Sequence, residues 1–190
     1  MTDLLTKFAQ QLTSVLDETI KEQGDLVYEI AMQISGRLNS GGKLLLCGNG
    51  GSAADCQHIA AEFVNRFRLE RRALPAIALT TDTSVLTSIA NDFSFSQVFE
   101  RQVEALGDPG DFLLGISTSG NSENVLNALK KAQDQGMKTI GFTGSQGNAM
   151  SACCDYLVKV HSRETPRIQE VHIFLGHVIC DLVERMVFEK

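Results

Sequence analysis

Two short loops and two helical stretches carry the residue types that can do chemistry. Gly48-Asn49-Gly50-Gly51-Ser52-Ala53 follows an apolar run at 44–47 and opens a helical stretch to about Arg66. Glycines there allow close backbone approach, and the amides that open a helix favour an anionic group. The six residues also fit the G-x-G-x-x-A dinucleotide fingerprint, with Asp82 as a ribose ligand, or a bare strand-to-helix turn. Ser117-Thr118-Ser119-Gly120-Asn121-Ser122 precedes a second helix at 123–135, and no Walker Gly-Lys-Ser/Thr is present. Its hydroxyls can surround a phosphate with neutral donors beside a helix dipole, while Ser122 on its own would serve as an ordinary N-cap. His58 and Glu62, spaced i,i+4, put an imidazole and a carboxylate on one helix face, as a metal pair or a solvated ion pair. Near the carboxyl end Gln169 and His177 break an apolar helix; they are about 12 Å apart in rise and about 80° in rotation, so one metal joins them only if both side chains reach toward each other. Such a His/Glu plus Gln/His set offers the N and O donors that zinc accepts at a catalytic site. His172 lies off that line and reads as packing. Asn91 and Asp92 follow a helix at 84–90, either ending it or binding a sugar hydroxyl. Arg66, one turn beyond Glu62, is a surface arginine or a substrate contact.

These residues need elements to position them. From residue 4 to residue 38 apolar side chains fall at helical spacing, with Leu5, Phe8, Leu12, Val15 and Leu16, then Leu26, Ile30, Ile34 and Leu38. Gln23-Gly24-Asp25 interrupts them, which predicts two leading helices. Short apolar runs at 43–47, 76–79, 112–116, 139–142 and 156–160 then alternate mainly with amphipathic segments, the signature of a parallel sheet covered on both faces. Open parallel sheets place ligands at the carboxyl ends of their strands, and both polar loops fall there. A long closing helix is expected at 168–188, apolar nearly all round, so that more than one neighbour must bury it; this points to an oligomer. The expected organisation is one α/β unit over 1–190, with a helical extension at 1–40 and the core at 43–190.

Composition narrows the function. The 17 Lys and Arg against 23 Asp and Glu give a net charge of -6, and no stretch concentrates the basic residues, so no nucleic-acid partner is expected. No apolar run approaches the roughly 18 to 20 residues of a membrane span, and residues 1–11 lack a signal-like apolar core, so the expectation is a cytoplasmic protein without a membrane partner. The 5 cysteines are odd in number, have no CxxC spacing and mostly sit in apolar runs, which fits buried free thiols in a reducing compartment.

Taken jointly, the glycine loop at 47–52, His58 with Glu62, Asn91-Asp92-Phe93, the serine loop at 115–122, and residues 167–172 with His177 resemble the phosphoheptose isomerases of the sugar isomerase (SIS) domain group, over essentially the whole chain. The resemblance implies a flavodoxin-like, three-layer, five-stranded parallel sheet and a homotetramer with sites near subunit interfaces. It implies a zinc-dependent conversion of sedoheptulose 7-phosphate to D-glycero-D-manno-heptose 7-phosphate, an early step toward nucleotide-activated heptose. By the family pattern Ser117, Thr118, Ser119 and Ser122 hold the phosphate, and Asn49, Gly50, Gly51, Ser52, Asn91 and Asp92 lie against the sugar. Arg66 and Gln169 are further candidate substrate contacts. The zinc ligands are His58, Glu62, Gln169 and His177, with Glu62 as base and His177 as partner acid for an enediol mechanism. Some members have an aspartate three residues before the glutamine, where this chain has Pro166. A non-enzymatic relative that associates with the bacterial replication initiator shares both loops but lacks the counterparts of Glu62 and His177, whose presence here favours catalysis.

Overall fold

Each apolar run becomes a strand: β1 (Leu44–Gly48), β2 (Ala76–Ala78), β3 (Phe112–Ser117), β4 (Lys138–Gly144) and β5 (Tyr156–Val160). Between and around them lie α1 (Thr2–Asn39), α2 (Gly51–Val64), α3 (Thr83–Asp92), α4 (Glu100–Leu106), α5 (Glu123–Asp134) and α6 (Thr165–Phe188). The computed structural model describes residues 2–146 and 149–189. The strands form one all-parallel sheet in the order β2-β1-β3-β4-β5.

Alternation along the strands divides the apolar residues between two cores. Leu44, Leu46, Leu114, Ile116, Ile140, Phe142, Val158 and Val160 face α1, α2 and α6, whereas Leu45, Cys47 and Leu113 face α3, α4 and α5. Every residue of β1 and β3 is buried, as strands covered on both faces require. The three-layer α/β arrangement follows. The 7-residue α4 was not anticipated from the sequence pattern. No helix among the described residues is long and apolar enough to cross a membrane.

The two leading helices expected from the Gln23-Gly24-Asp25 break are instead one helix of 38 residues. A lone glycine inside a helix costs only about 1 kcal/mol. The stripe facing α6 runs straight through it, as Leu16, Thr19, Gln23, Val27, Ile30, Ile34 and Leu38, with Thr19 fully buried and its hydroxyl turned back to the Val15 carbonyl at 2.7 Å. Packing along one continuous face therefore outweighs the local break. α6 runs beside α1 in the same direction, Arg167 donating to the Phe8 carbonyl at one end and Ser35 reaching Met186 at the other.

Two buried carboxylates tie the layers together at places the sequence did not mark. Asp111, before β3, accepts from Arg37 at the end of α1 and from the Lys43 and Asp108 backbone amides. Glu184 on α6 accepts from the backbone amides of Phe67, Arg68 and Leu69 and from Arg71 Nε at 2.8 Å. Arg71 in turn donates to the Glu62 and Phe63 carbonyls, satisfying the open end of α2. Burial alone would raise the Glu184 carboxyl, but these donors outweigh it and hold it below the ordinary glutamate value. Such a depressed carboxylate adds stability that is present above the unfolded-state value and lost as pH falls through the folded one. Glu184→Gln is expected to lower unfolding stability by about 3 kcal/mol at pH 7, because Arg71 is left buried and unpaired. In denaturant titrations the gap to the wild type should narrow as pH drops below 4.5; a pH-independent gap would contradict the charge role of Glu184.

Candidate active site

β1 and β3 are neighbours in the sheet, yet their following helices cover opposite faces, so the loops leaving their carboxyl ends sit side by side over a crevice. Asn49 and Asn124 join them through reciprocal amide bonds of 2.8 and 2.9 Å. Asn124, buried at the start of α5, also accepts from the Val125 amide. The sequence reading overlooked Asn124, because an asparagine one residue inside a helix looks like an ordinary polar position.

In the serine loop, Ser117 and Ser122 hydroxyls lie 2.9 Å apart and Ser117 and Ser119 hydroxyls 3.5 Å apart, while the Asn121 amide donates to Ser119 Oγ. Ser122 occupies the N-cap of α5 but its side chain makes no capping bond. The hydroxyls are therefore gathered for something other than capping. Beside them a cavity of about 120 Å³ is walled by Thr118 and Ser119 on one side and by Ser162, Arg163 and Thr165 on the other. Pro166 stands in the first turn of α6, where its missing N–H is harmless.

α2 and α6 lie parallel, and matching pairs run along them. A side chain at Gly51 would meet Gln169 Nε2 at 2.5 Å, and one at Gly176 would meet Ile59 Cδ1 at 2.6 Å. At both places a side chain from the other helix occupies the space that a Cβ would fill. One consequence is that His177 Nε2 lies 2.9 Å from His58 Nε2, which is itself 3.5 Å from Glu62 Oε1. The Phe67 ring stacks on His177 at 5.6 Å. Gln169 is turned toward the glycine loop, about 10 Å along α2 from His58 at 1.5 Å per residue. Helix geometry alone left Gln169 and His177 too far apart to judge; the parallel register places one beside the glycine loop and the other beside His58.

The remaining expected residues are distributed as follows. Gly50 and Gly51 open α2, and Ser52 is buried behind the loop against Gly48. Asn91 and Asp92 are exposed and lie inside the last turn of α3 rather than after it, the helix running on until the Phe93 amide reaches the Ile89 carbonyl. Asn91 donates to Asp92 at 2.8 Å. A carboxylate at a helix C-terminus opposes the dipole, so Asp92 is not there for helix stability. Arg66 does not continue the helix that carries Glu62: α2 stops at Val64, where the Arg71–Glu184 clamp takes over the carbonyls, and Arg66 is exposed beyond it. Asp82 caps α3 through the Val85 amide, which accounts for it without a ribose. His172 is fully buried and burial pushes it down to about 4, keeping it neutral at pH 7; it packs near Phe142. The 5 cysteines are free, and burial raises Cys47 and Cys56 beneath the glycine loop, so neither is a thiolate nucleophile.

The SIS domain family matches residues 7–144, which include both loops and the sheet as far as β4. A phosphoheptose isomerase from Desulfovibrio desulfuricans is 57% identical over 188 residues, covering 99% of this chain and 90% of the relative. The chain belongs to the phosphoheptose isomerase family. It is an isomerase. Solved phosphoheptose isomerases from Neisseria gonorrhoeae (42% identity, TM-score 0.91, 96% of this chain and 98% of that one) and Francisella tularensis (37% identity, TM-score 0.93, 97% and 98%) share the complete fold, α6 included.

If the serine loop of this isomerase is a phosphate cradle, replacing Ser119 and Ser122 together by Ala is expected to weaken phosphosugar binding by about 2 kcal/mol, at about 1 kcal/mol per neutral hydrogen bond. The melting temperature should fall only slightly, since neither hydroxyl caps α5 and the bonds lost, Ser117 to Ser122 and the Asn121 amide to Ser119, lie within the loop. Calorimetry with a melting curve checks this: unchanged affinity with a markedly lowered melting temperature would make the loop structural.

Proposed function

We propose that this isomerase interconverts sedoheptulose 7-phosphate and D-glycero-D-manno-heptose 7-phosphate, with the serine loop on the phosphate and the α2/α6 seam at the sugar carbons. The observation that carries the reading is the approach of His177 to His58 beside Glu62, next to the linked glycine and serine loops. A phosphosugar-binding protein with no chemistry to do has no use for that cluster.

The residues suit a zinc ion. Two donors of a tetrahedral zinc stand about 3.3 Å apart given metal–nitrogen distances of about 2.0 to 2.1 Å. The 2.9 Å and 3.5 Å separations around His58 Nε2 bracket that spacing, whereas Glu62 and His177 stand more than 4.8 Å from each other, so a bound ion would have to draw those two side chains in. His58, Glu62 and His177 would hold the ion; Gln169 lies against Gly51 and would join them only by turning its side chain along the seam. When bound, the ion polarises the substrate carbonyl.

The protein's own groups account for the proton traffic. Moving the carbonyl between C2 and C1 passes through an enediol, so a base must remove a carbon-bound proton and an acid must serve the oxygen. Glu62 can take the proton on the carboxylate oxygen turned away from His58. A ring nitrogen committed to a metal cannot shuttle a proton, so His177, whose Nε2 faces His58, acts as acid through Nδ1. Gln169 and the Asn49-Gly50-Gly51 backbone bind the sugar hydroxyls, and Asn91 and Asp92 offer a further polar edge.

A tetramer completes this reading. A groove of about 320 Å³ between α1 and α6, lined by Ile20, Val27, Tyr28, Phe174, Leu175 and Val178, is apolar, and Leu4, Leu5 and Phe8 are exposed on α1. Next to it a second cavity, of about 350 Å³, reaches His177 past Phe67 and Phe174. A second copy packed on this face covers apolar surface that a monomer leaves wet and closes the outer side of the site.

Incubation with sedoheptulose 7-phosphate should yield the aldose, and Glu62→Gln should lower kcat by at least about 100-fold while phosphosugar binding remains measurable. Near-wild-type turnover in that variant would remove Glu62 from the base role. Chelation should abolish activity and added zinc restore it; full activity in metal-free protein would refute the ion's part. Light scattering is expected to report four chains of 20.7 kDa, and an active monomer would refute the shared interface.

A further inference from the structure

The serine loop, as a phosphate site, has a charge deficit. A phosphate monoester carries about -1.5 to -2 at pH 7, while its hydroxyls are neutral and one helix N-terminus supplies only about +0.5. Arg163 lies across the cavity from Thr118 and Ser119, exposed, and among the described residues no carboxylate pairs with it. The chain on either side is fixed. The Ser145 amide and hydroxyl both donate to the Ser162 carbonyl, at 3.1 and 3.0 Å, and the Glu164 amide donates to Ser162 Oγ. His161 is held against α1, its amide on Thr19 Oγ1 and its ring between Glu18 and Glu22. The opposite wall is fixed to the same framework, since the Gly144 amide donates to the Thr118 carbonyl. An anchored backbone thus places Arg163, without an ion pair among the described residues, in the lining of a cavity whose other polar groups are neutral.

We propose that Arg163 is the charged contact for the substrate phosphate, supplying from the β5–α6 loop the positive charge that the serine loop lacks, and so selecting phosphorylated over free sugars. The identity of the sugar rests on the isomerase reading above; the contact itself requires only a phosphate. Arginine suits the position because its fork can meet two phosphate oxygens at once, which a lysine cannot.

Two measurements test this: titration with inorganic phosphate by calorimetry, and KM for sedoheptulose 7-phosphate at low and high salt. Arg163→Ala is expected to weaken phosphate binding about tenfold and raise KM by a similar factor, with a smaller change in kcat. Arg163→Lys should recover part of the loss, and the gap to wild type should shrink at high salt. Lys21→Ala, which removes the same charge from an exposed position on α1, should leave both quantities as they are. Unchanged phosphate affinity in Arg163→Ala, an equal loss in Lys21→Ala, or no phosphate binding by the wild type would each overturn the proposal. The two readings separate cleanly. Heptose turnover with undiminished phosphate affinity in Arg163→Ala refutes the contact and keeps the isomerase substrate; lost phosphate affinity without wild-type heptose turnover does the reverse.

Discussion

The site depends on the reversal of winding direction between β1 and β3. Parallel strands buried on both faces must be joined by helices, and the helix after β1 covers one face while the helix after β3 covers the other. The two following loops are thereby left without a helix packed over them, side by side at the same edge of the sheet. One loop is rich in glycine and the other in hydroxyls, so a backbone-lined surface meets a set of small polar side chains. The Asn49–Asn124 amide pair fixes the two loops at one spacing.

A second constraint brings the ionisable groups. α6 must be buried by α1, α2 and the sheet at once, which fixes its direction and register against α2. Gly176 against Ile59 and Gly51 against Gln169 mark that register. It is this alignment, rather than any local motif, that sets His177 beside His58. Residues more than a hundred positions apart in the chain become neighbours through the packing of two helices whose apolar faces have little chemistry of their own.

The architecture was legible because period-two and helical patterning speak directly to burial. All five strands lie where the apolar runs fall, and 156–160 needed no change of boundary. The division of α1 was misread because Gln23-Gly24-Asp25 is a local break signal, whereas the stripe from Leu16 to Leu38 is a tertiary one, and the tertiary signal prevails. The glycine and serine loops and the His58/Glu62 spacing were readable from local sequence. Asn124, Glu184 and Arg71 were not, since their partners are distant in sequence and a single polar residue, on a helix for the first two and in a loop for Arg71, carries no sign of burial. Arg66 was misplaced for the same reason: the end of α2 is set by Arg71, not by a stop signal within the helix.

The Arg71–Glu184 pair also shapes how the seam between α2 and α6 is held. It binds the last turn of α2 to the last turns of α6, and both side chains are almost wholly shielded from solvent. At the other end of the seam Gln169 lies against the bare backbone of Gly51. The two helices are therefore pinned like a pair of tongs near their carboxyl ends. At that end the spacing of the two helices, with Glu62 in the last turns of α2, is set by hydrogen bonds to a buried ion pair as well as by side-chain packing.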